Sequence, residues 1–215
     1  MAQVLHSLAR TRILWGAGTP RTLRAHWMLH ELGLAYESRP IGSRSGETQT
    51  PSFLAINPSR KIPVLQDGDF VLAESAAIVS YLAETYGGDA MPRPGTRERS
   101  LYDQWCFFTM MELDANTLYI LRRHEDLKEV YGEAENAVKA ARTCFEEQAQ
   151  AAAQRLGSGP YAMGEHFTGA DVLLTTCLAG ARRRGIALPD ALTDYVERIT
   201  RREAFLQAQL ANQRR

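Results

Sequence analysis

One Asp-Gly pair with apolar residues alternating on either side does most to limit how this chain can fold. The stretch Lys61-Ile62-Pro63-Val64-Leu65-Gln66-Asp67-Gly68-Asp69-Phe70-Val71-Leu72-Ala73-Glu74-Ser75 reads as two short strands closing on Asp67-Gly68. It ends at a residue type suited to capping the next helix. Pro63 heads the first strand, where its missing N–H costs no ladder bond, so the N–H and C=O of Ile62 are left to pair with something extended alongside. A peptide is the natural guest. Glu74-Ser75 opens a helix predicted over 76–86, with Ile78, Val79 and Leu82 as its apolar face. A helix N-terminus with a hydroxyl favours a carboxylate, and Glu74 suits an ammonium, so the two together match an amino-acid head group. Either feature alone reads as an ordinary hairpin or an ordinary cap; the spacing makes the combination specific.

Upstream, Ile13-Leu14-Trp15 is a short apolar run that fits a buried strand feeding the turn Gly16-Ala17-Gly18. Thr19-Pro20 predicts a helix start, with Thr as cap and Pro at the first helical position. Leu23, Trp27, Met28 and Leu32 give that helix one inward face, and Gly33 stops it. Residues 36–41 read as a second strand, parallel to the first through a right-handed crossover. A polar loop over 42–51 and a helical turn over 52–56 lead to Asn57-Pro58, so the order is βαβ and then ββα.

The composition changes at 87–96, where Gly87, Gly88, Pro92, Pro94 and Gly95 cluster as a linker. Beyond it strand signals vanish. Helical patterns cover 98–123, 131–156, 189–201 and 203–210, with Gly157-Ser158-Gly159-Pro160 as a break. Thr168-Gly169-Ala170-Asp171 has the spacing of a capping box before Val172-Leu173-Leu174.

A length of 215 residues suits one large or two small domains, and 45% hydrophobic with 23% charged residues is ordinary for a soluble globular chain. The net charge of zero argues against a nucleic-acid or anionic-membrane role, and the arginine runs at 182–184 and 201–202 read as solvated helix faces. Cys106, Cys144 and Cys177 are odd in number and far apart, which supports neither a disulfide framework nor a zinc or dithiol motif, and all three read as core residues. The five histidines are dispersed, and His26/His30 lack a matching Glu or third ligand, so no metal is expected. No stretch approaches the roughly 20 apolar residues of a membrane span. Residues 1–10 lack the continuous apolar core of a secretory leader, which makes a reducing cytoplasm the expected location.

Asn57-Pro58, Lys61-Ile62-Pro63 and Glu74-Ser75 together resemble the glutathione site of the soluble glutathione transferases, and the resemblance covers the chain from about Arg12 to about Leu210. The layout is bacterial-like and closest to the serine-type classes. The resemblance implies an α/β thioredoxin-like domain over 1–86, a linker over 87–96 and an all-helical bundle over 97–215. It also implies a cis Pro63, glutathione as co-substrate, and a homodimer. Glu74 and Ser75 would take the γ-glutamyl head, Ile62 the peptide backbone and Lys61 the glycine end or the backbone. Thr19 matches the position of the serine in serine-type classes, and of a cysteine followed by proline in thiol-type relatives; this chain keeps the proline but not the thiol. Trp15 stands where tyrosine-type classes have their tyrosine and cannot replace it. Arg21 matches an arginine that supports the thiolate in one class. By the same resemblance Trp105, Phe108, Met111 and Tyr119 are candidates to meet an apolar electrophile, Asp103 to reach the glutathione amine of a partner subunit, and the Thr168/Asp171 box to serve folding.

The chemistry needs a cysteine thiolate near neutral pH, although a free thiol titrates near 8.5. Lowering that by one or two units takes about 1.4–2.7 kcal/mol. A hydroxyl donor plus a helix N-terminus is of that size. Thr19 can donate the bond, although its branched carbon restricts the rotamer and a plain helix cap is the simpler role. The resemblance implies conjugation of glutathione to a small apolar electrophile as the expected function. A glutathione-dependent peroxidase or isomerase, and a non-catalytic glutathione-binding or regulatory protein, are the alternatives.

Overall fold

The structure is a computed structural model, and it describes residues 11–214. The reading of 1–10 lies outside the described residues. Two compact units form: one runs to Met91 and takes in the C-terminal stretch from Arg201, and the other is Pro92–Thr200.

In the first unit, β1 (Arg12–Trp15), α1 (Pro20–Glu31), β2 (Glu37–Arg39), α2 (Pro51–Ile56), β3 (Val64–Asp67), β4 (Phe70–Ala73) and α3 (Ser75–Tyr86) follow the expected order. The sheet runs β2-β1-β3-β4, with β1 parallel to β2 and antiparallel to β3, and β3 antiparallel to β4. This is the thioredoxin-like arrangement. Trp15 pairs with Val64, which brings the end of β1 beside the cis Ile62-Pro63 bond. Leu14, Trp27, Met28, Val64, Leu65, Ile78, Val79 and Leu82 form the core, all fully buried. The Asp67 carboxylate beneath the hairpin turn is buried, faces Arg12 and accepts from Tyr81 (2.9 Å) and Tyr86, which ties the hairpin to α3. Phe70 and Val71, expected as part of an alternating apolar strand, lie exposed on the edge strand β4, with Phe70 against the Tyr81 ring.

The second unit is helical. A helix begins at α4 (Arg97–Phe108), capped by the Thr96 hydroxyl on the Arg99 N–H at 3.1 Å. It continues through a π-helical stretch at Thr109–Leu118 and another at Arg122–Asp126. The wider turns reset the side-chain faces along a segment expected as one regular helix over 98–123. The helix expected over 131–156 starts later, because Gly132 turns left-handed (φ 79) after the short Lys128–Tyr131 turn, so α5 is Glu135–Leu156. α6 (Gly169–Arg183) and α7 (Asp190–Ile199) follow. At the head of α6 the Asp171 carboxylate reaches back to the Thr168 N–H at 2.8 Å, as a capping box requires. Burial pushes this carboxyl up, while bonds from the Ala162 N–H, the Tyr195 hydroxyl and Thr168 pull it back.

The helical domain expected over 97–215 needs correction at its end. The last helix, α8 (Glu203–Ala211), belongs to the first unit, where Phe205 meets Trp27 edge-on at 4.8 Å. Arg202 grips Glu31 through two bonds of 2.7 Å. Apolar burial plus a bidentate ion pair hold the C-terminal stretch on α1.

Candidate glutathione site

β1 delivers the chain into Gly16-Ala17-Gly18, and Gly16 makes the close approach possible. Its φ is +112, and a Cβ there would lie 2.6 Å from Ile62 Cβ and 2.9 Å from Thr22 Cγ2. Only glycine lets Ile62 and the head of α1 close together at this point. Among the described residues neither the N–H nor the C=O of Ile62 has a backbone partner, as expected of an edge open to an extended guest. Lys61 is exposed, and its carbonyl accepts from Asn57 Nδ2 at 2.9 Å.

Thr19 caps α1. Its Oγ1 accepts from the Thr22 N–H at 3.0 Å, and Thr22 Oγ1 accepts from the Thr19 N–H at 3.0 Å, with the two hydroxyl oxygens 3.0 Å apart. Capping the Thr22 N–H uses only a lone pair of the Thr19 hydroxyl, so its proton can be donated. The cap and the thiolate donor are thus compatible roles for one hydroxyl. Arg21 sits half-buried in the first turn.

At the second helix start, Ser75 does not serve as the cap that its sequence neighbours suggest. Instead Ser75 is the first helical residue of α3, and Glu74 precedes it with a positive φ of 69 and no side-chain cap bond. Ser75 is buried, and its oxygen accepts from Arg24 Nη1 at 3.3 Å, which leaves the Ser75 O–H free to donate elsewhere. Glu74 is exposed. Arg24, buried on α1, is a part of this corner that the sequence reading missed; an Arg within an otherwise apolar helical face was the available signal.

His26 was also missed as a support. Its Nε2 lies 3.2 Å from the Gly16 carbonyl, which only accepts, so that nitrogen carries the proton and Nδ1 accepts from Tyr36 at 2.7 Å. Burial pushes His26 down to about 4 and Tyr36 up to about 12. Both are neutral near pH 7 and hold the Gly16 turn without adding charge.

Two family descriptions match the chain: "Glutathione S-transferase, N-terminal domain" over residues 11–84 and "Glutathione S-transferase, C-terminal domain" over 108–203. The chain belongs to the glutathione S-transferase family. Glutathione S-transferase-like protein gedE of Aspergillus terreus is 40% identical over 100 residues, covering 44% of this chain and 43% of that protein. Glutathione S-transferase F14 of Arabidopsis thaliana is 30% identical over 170 residues, covering 74% and 62%. The matched stretches thus span less than two thirds of these relatives' lengths. The theta class glutathione S-transferase of the citrus canker pathogen Xanthomonas axonopodis pv. citri, solved with glutathione bound, superposes with a TM-score of 0.78 at 28% identity, covering 94% of this chain and 98% of that one.

The four residues that the glutathione S-transferase resemblance offered to an electrophile do not share one environment. Trp105 is buried and meets Phe108 edge-on at 6.0 Å, with the Arg155 guanidinium over both rings. Met111 is exposed, and Tyr119 lies under Arg123. Asp103 pairs with Arg99 on its own helix at 3.1 Å. Burial pushes the Cys106 thiol up to about 12, so this cysteine is inert near neutral pH. Among the described residues no group of three or more His, Cys, Asp or Glu is placed to hold a metal ion, and no helix is long and apolar enough to cross a membrane.

Proposed function

We propose that this protein is a glutathione transferase that conjugates the glutathione thiolate to a small apolar electrophile, with Thr19 as the thiolate donor. The observation that carries the reading is the closure around Gly16, which sets the Thr19–Thr22 cap beside the unpaired backbone of Ile62. Glutathione then runs antiparallel to the Ile62 edge, with its γ-glutamyl carboxylate on the Ser75 hydroxyl and the α3 N-terminus and its ammonium on Glu74. Lys61 faces the glycine carboxylate, and Arg21 adds positive potential near the thiolate. Trp105, Phe108, Met111 and Tyr119 remain the candidates for the electrophile, with the exposed Met111 the most accessible of them. The three free cysteines fit a reducing cytoplasm, where glutathione is held as the thiol.

Ser75→Ala removes the donor that Arg24 aims, and glutathione binding is expected to weaken by about 1–3 kcal/mol through the lost charge-assisted bond. Calorimetry giving an unchanged affinity contradicts this placement.

A homodimer completes the reading. Phe70 and Val71 on the edge strand, and Leu101 and Phe107 on α4, are large apolar residues left exposed in the single chain, of the kind an interface covers. Sedimentation at micromolar concentration is expected to give about twice the 24.0 kDa of the chain. A single 24.0 kDa species contradicts the dimer and removes any role for Asp103 across it.

A further inference from the structure

The C-terminal residues reach the loop that carries Thr19. Asn212 closes α8, beyond the family match that ends at residue 203. Its backbone carbonyl accepts from the Gly18 N–H at 2.8 Å, and its side-chain Oδ1 accepts from the same N–H at 3.2 Å. Its Nδ2 donates to the Thr19 carbonyl at 3.1 Å. A donor on one side and an acceptor on the other fix which way the amide faces. Arg214 fastens the next turn of chain, with its side chain against Gly18 and Gly42 and its guanidinium 3.3 Å from Glu47.

The amide orientation decides where the hydroxyl protons go. Thr22 Oγ1 lies 2.6 Å from Asn212 Oδ1, an atom that only accepts, so Thr22 donates its one proton there. The Thr19 carbonyl, the other acceptor near Thr22 Oγ1 (2.8 Å), already receives the Leu23 N–H at 3.0 Å and Asn212 Nδ2. Thr22 therefore offers nothing to the Thr19 oxygen except its backbone N–H, and the Thr19 proton is the one left in the cluster. That proton rests on Thr22 Oγ1 at 3.0 Å, and a thiolate is a stronger acceptor for it to turn to.

We propose that Asn212 is a positioning residue for the transferase reaction: by holding Gly18, Thr19 and Thr22 together it fixes the Thr19 rotamer and reserves the Thr19 proton for the glutathione thiolate. The inference rests on the glutathione reading of this loop. Asn212 touches neither the substrate nor the reacting sulfur and acts through Thr19 and Thr22.

The test is the ultraviolet thiolate absorbance of bound glutathione against pH in four proteins: wild type, Asn212→Ala, Thr19→Val and the double variant. Asn212→Ala is expected to raise the titration by about half a pH unit and to slow turnover near neutral pH about threefold. Calorimetric affinity for glutathione should stay within about twofold, a sign that the site is still folded. In the Thr19→Val background the same substitution should move the titration no further, because the group it acts through is gone. If Asn212→Ala titrates like wild type while Thr19→Val is raised, the positioning role is overturned and the Thr19 reading stands. An equal additional shift in the double variant also overturns it, since Asn212 then acts elsewhere. If Thr19→Val itself titrates like wild type, both readings fall together.

Discussion

Asp171→Ala is expected to destabilise the helical unit by about 3–5 kcal/mol, a large part of the roughly 5–15 kcal/mol that holds a domain folded. The carboxylate is fully buried and accepts from the Ala162 N–H (2.7 Å), the Tyr195 hydroxyl (2.7 Å), the Thr168 N–H (2.8 Å) and the Thr168 hydroxyl (3.1 Å). Removing it strands two backbone donors and a phenol away from water, each costing about 1–3 kcal/mol when unpaired. Asp171→Asn keeps an acceptor oxygen and is expected to recover about half the loss. Urea unfolding followed by far-ultraviolet circular dichroism reads both. An Asp171→Ala midpoint equal to that of wild type contradicts the assignment of this box as the fastening of α6. The Asp171 partners Ala162, Thr168 and Tyr195 are not among the residues assigned to glutathione, so any activity lost in this variant should track the unfolded fraction.

Thr19→Val is expected to raise the titration of the bound thiol by about one unit and to lower turnover near neutral pH about tenfold or more. Thr19 is 8% exposed, so a thiol brought to it loses much of its water, and desolvation alone raises a thiol's pKa. Donors must more than offset that for the thiolate to persist. Valine keeps the branched shape but supplies neither the donor nor the cap on the Thr22 N–H, and lost capping adds about 1 kcal/mol of destabilisation. Thr19→Ser keeps both and should retain activity. Glutathione affinity should change little in either, because Glu74, Ser75 and Ile62 hold the tripeptide. Turnover of a reactive aryl halide and the pH profile of bound thiolate together separate loss of chemistry from loss of fold.

Much of the fold was legible because its signals are local. The Asp67-Gly68 turn, Thr19-Pro20 at a helix start and the Thr168/Asp171 spacing each specify a geometry over a few residues, and each formed. What depends on distant partners was not legible. Ser75 reads as a cap from its neighbours, yet the buried Arg24 guanidinium, which arrives from another helix, sets its role. Phe70 and Val71 alternate like a half-buried strand but lie on a sheet edge, where the pattern alone does not say what covers them. The π-helical turns after Phe108 change the residues per turn, so 3.6-residue spacing misassigns the faces beyond that point. Asn212 stands 193 residues from Thr19 and follows an unremarkable helical pattern; only the folding of α8 onto α1 brings its amide to the loop.

Whether this loop holds a glutathione thiolate can be measured directly on the wild-type protein. Ultraviolet absorbance of protein-bound glutathione should show the thiolate appearing about one to two units below the value near 8.5 of a free thiol. A bound thiol that titrates with free glutathione contradicts the account and leaves a protein that binds the peptide without activating it.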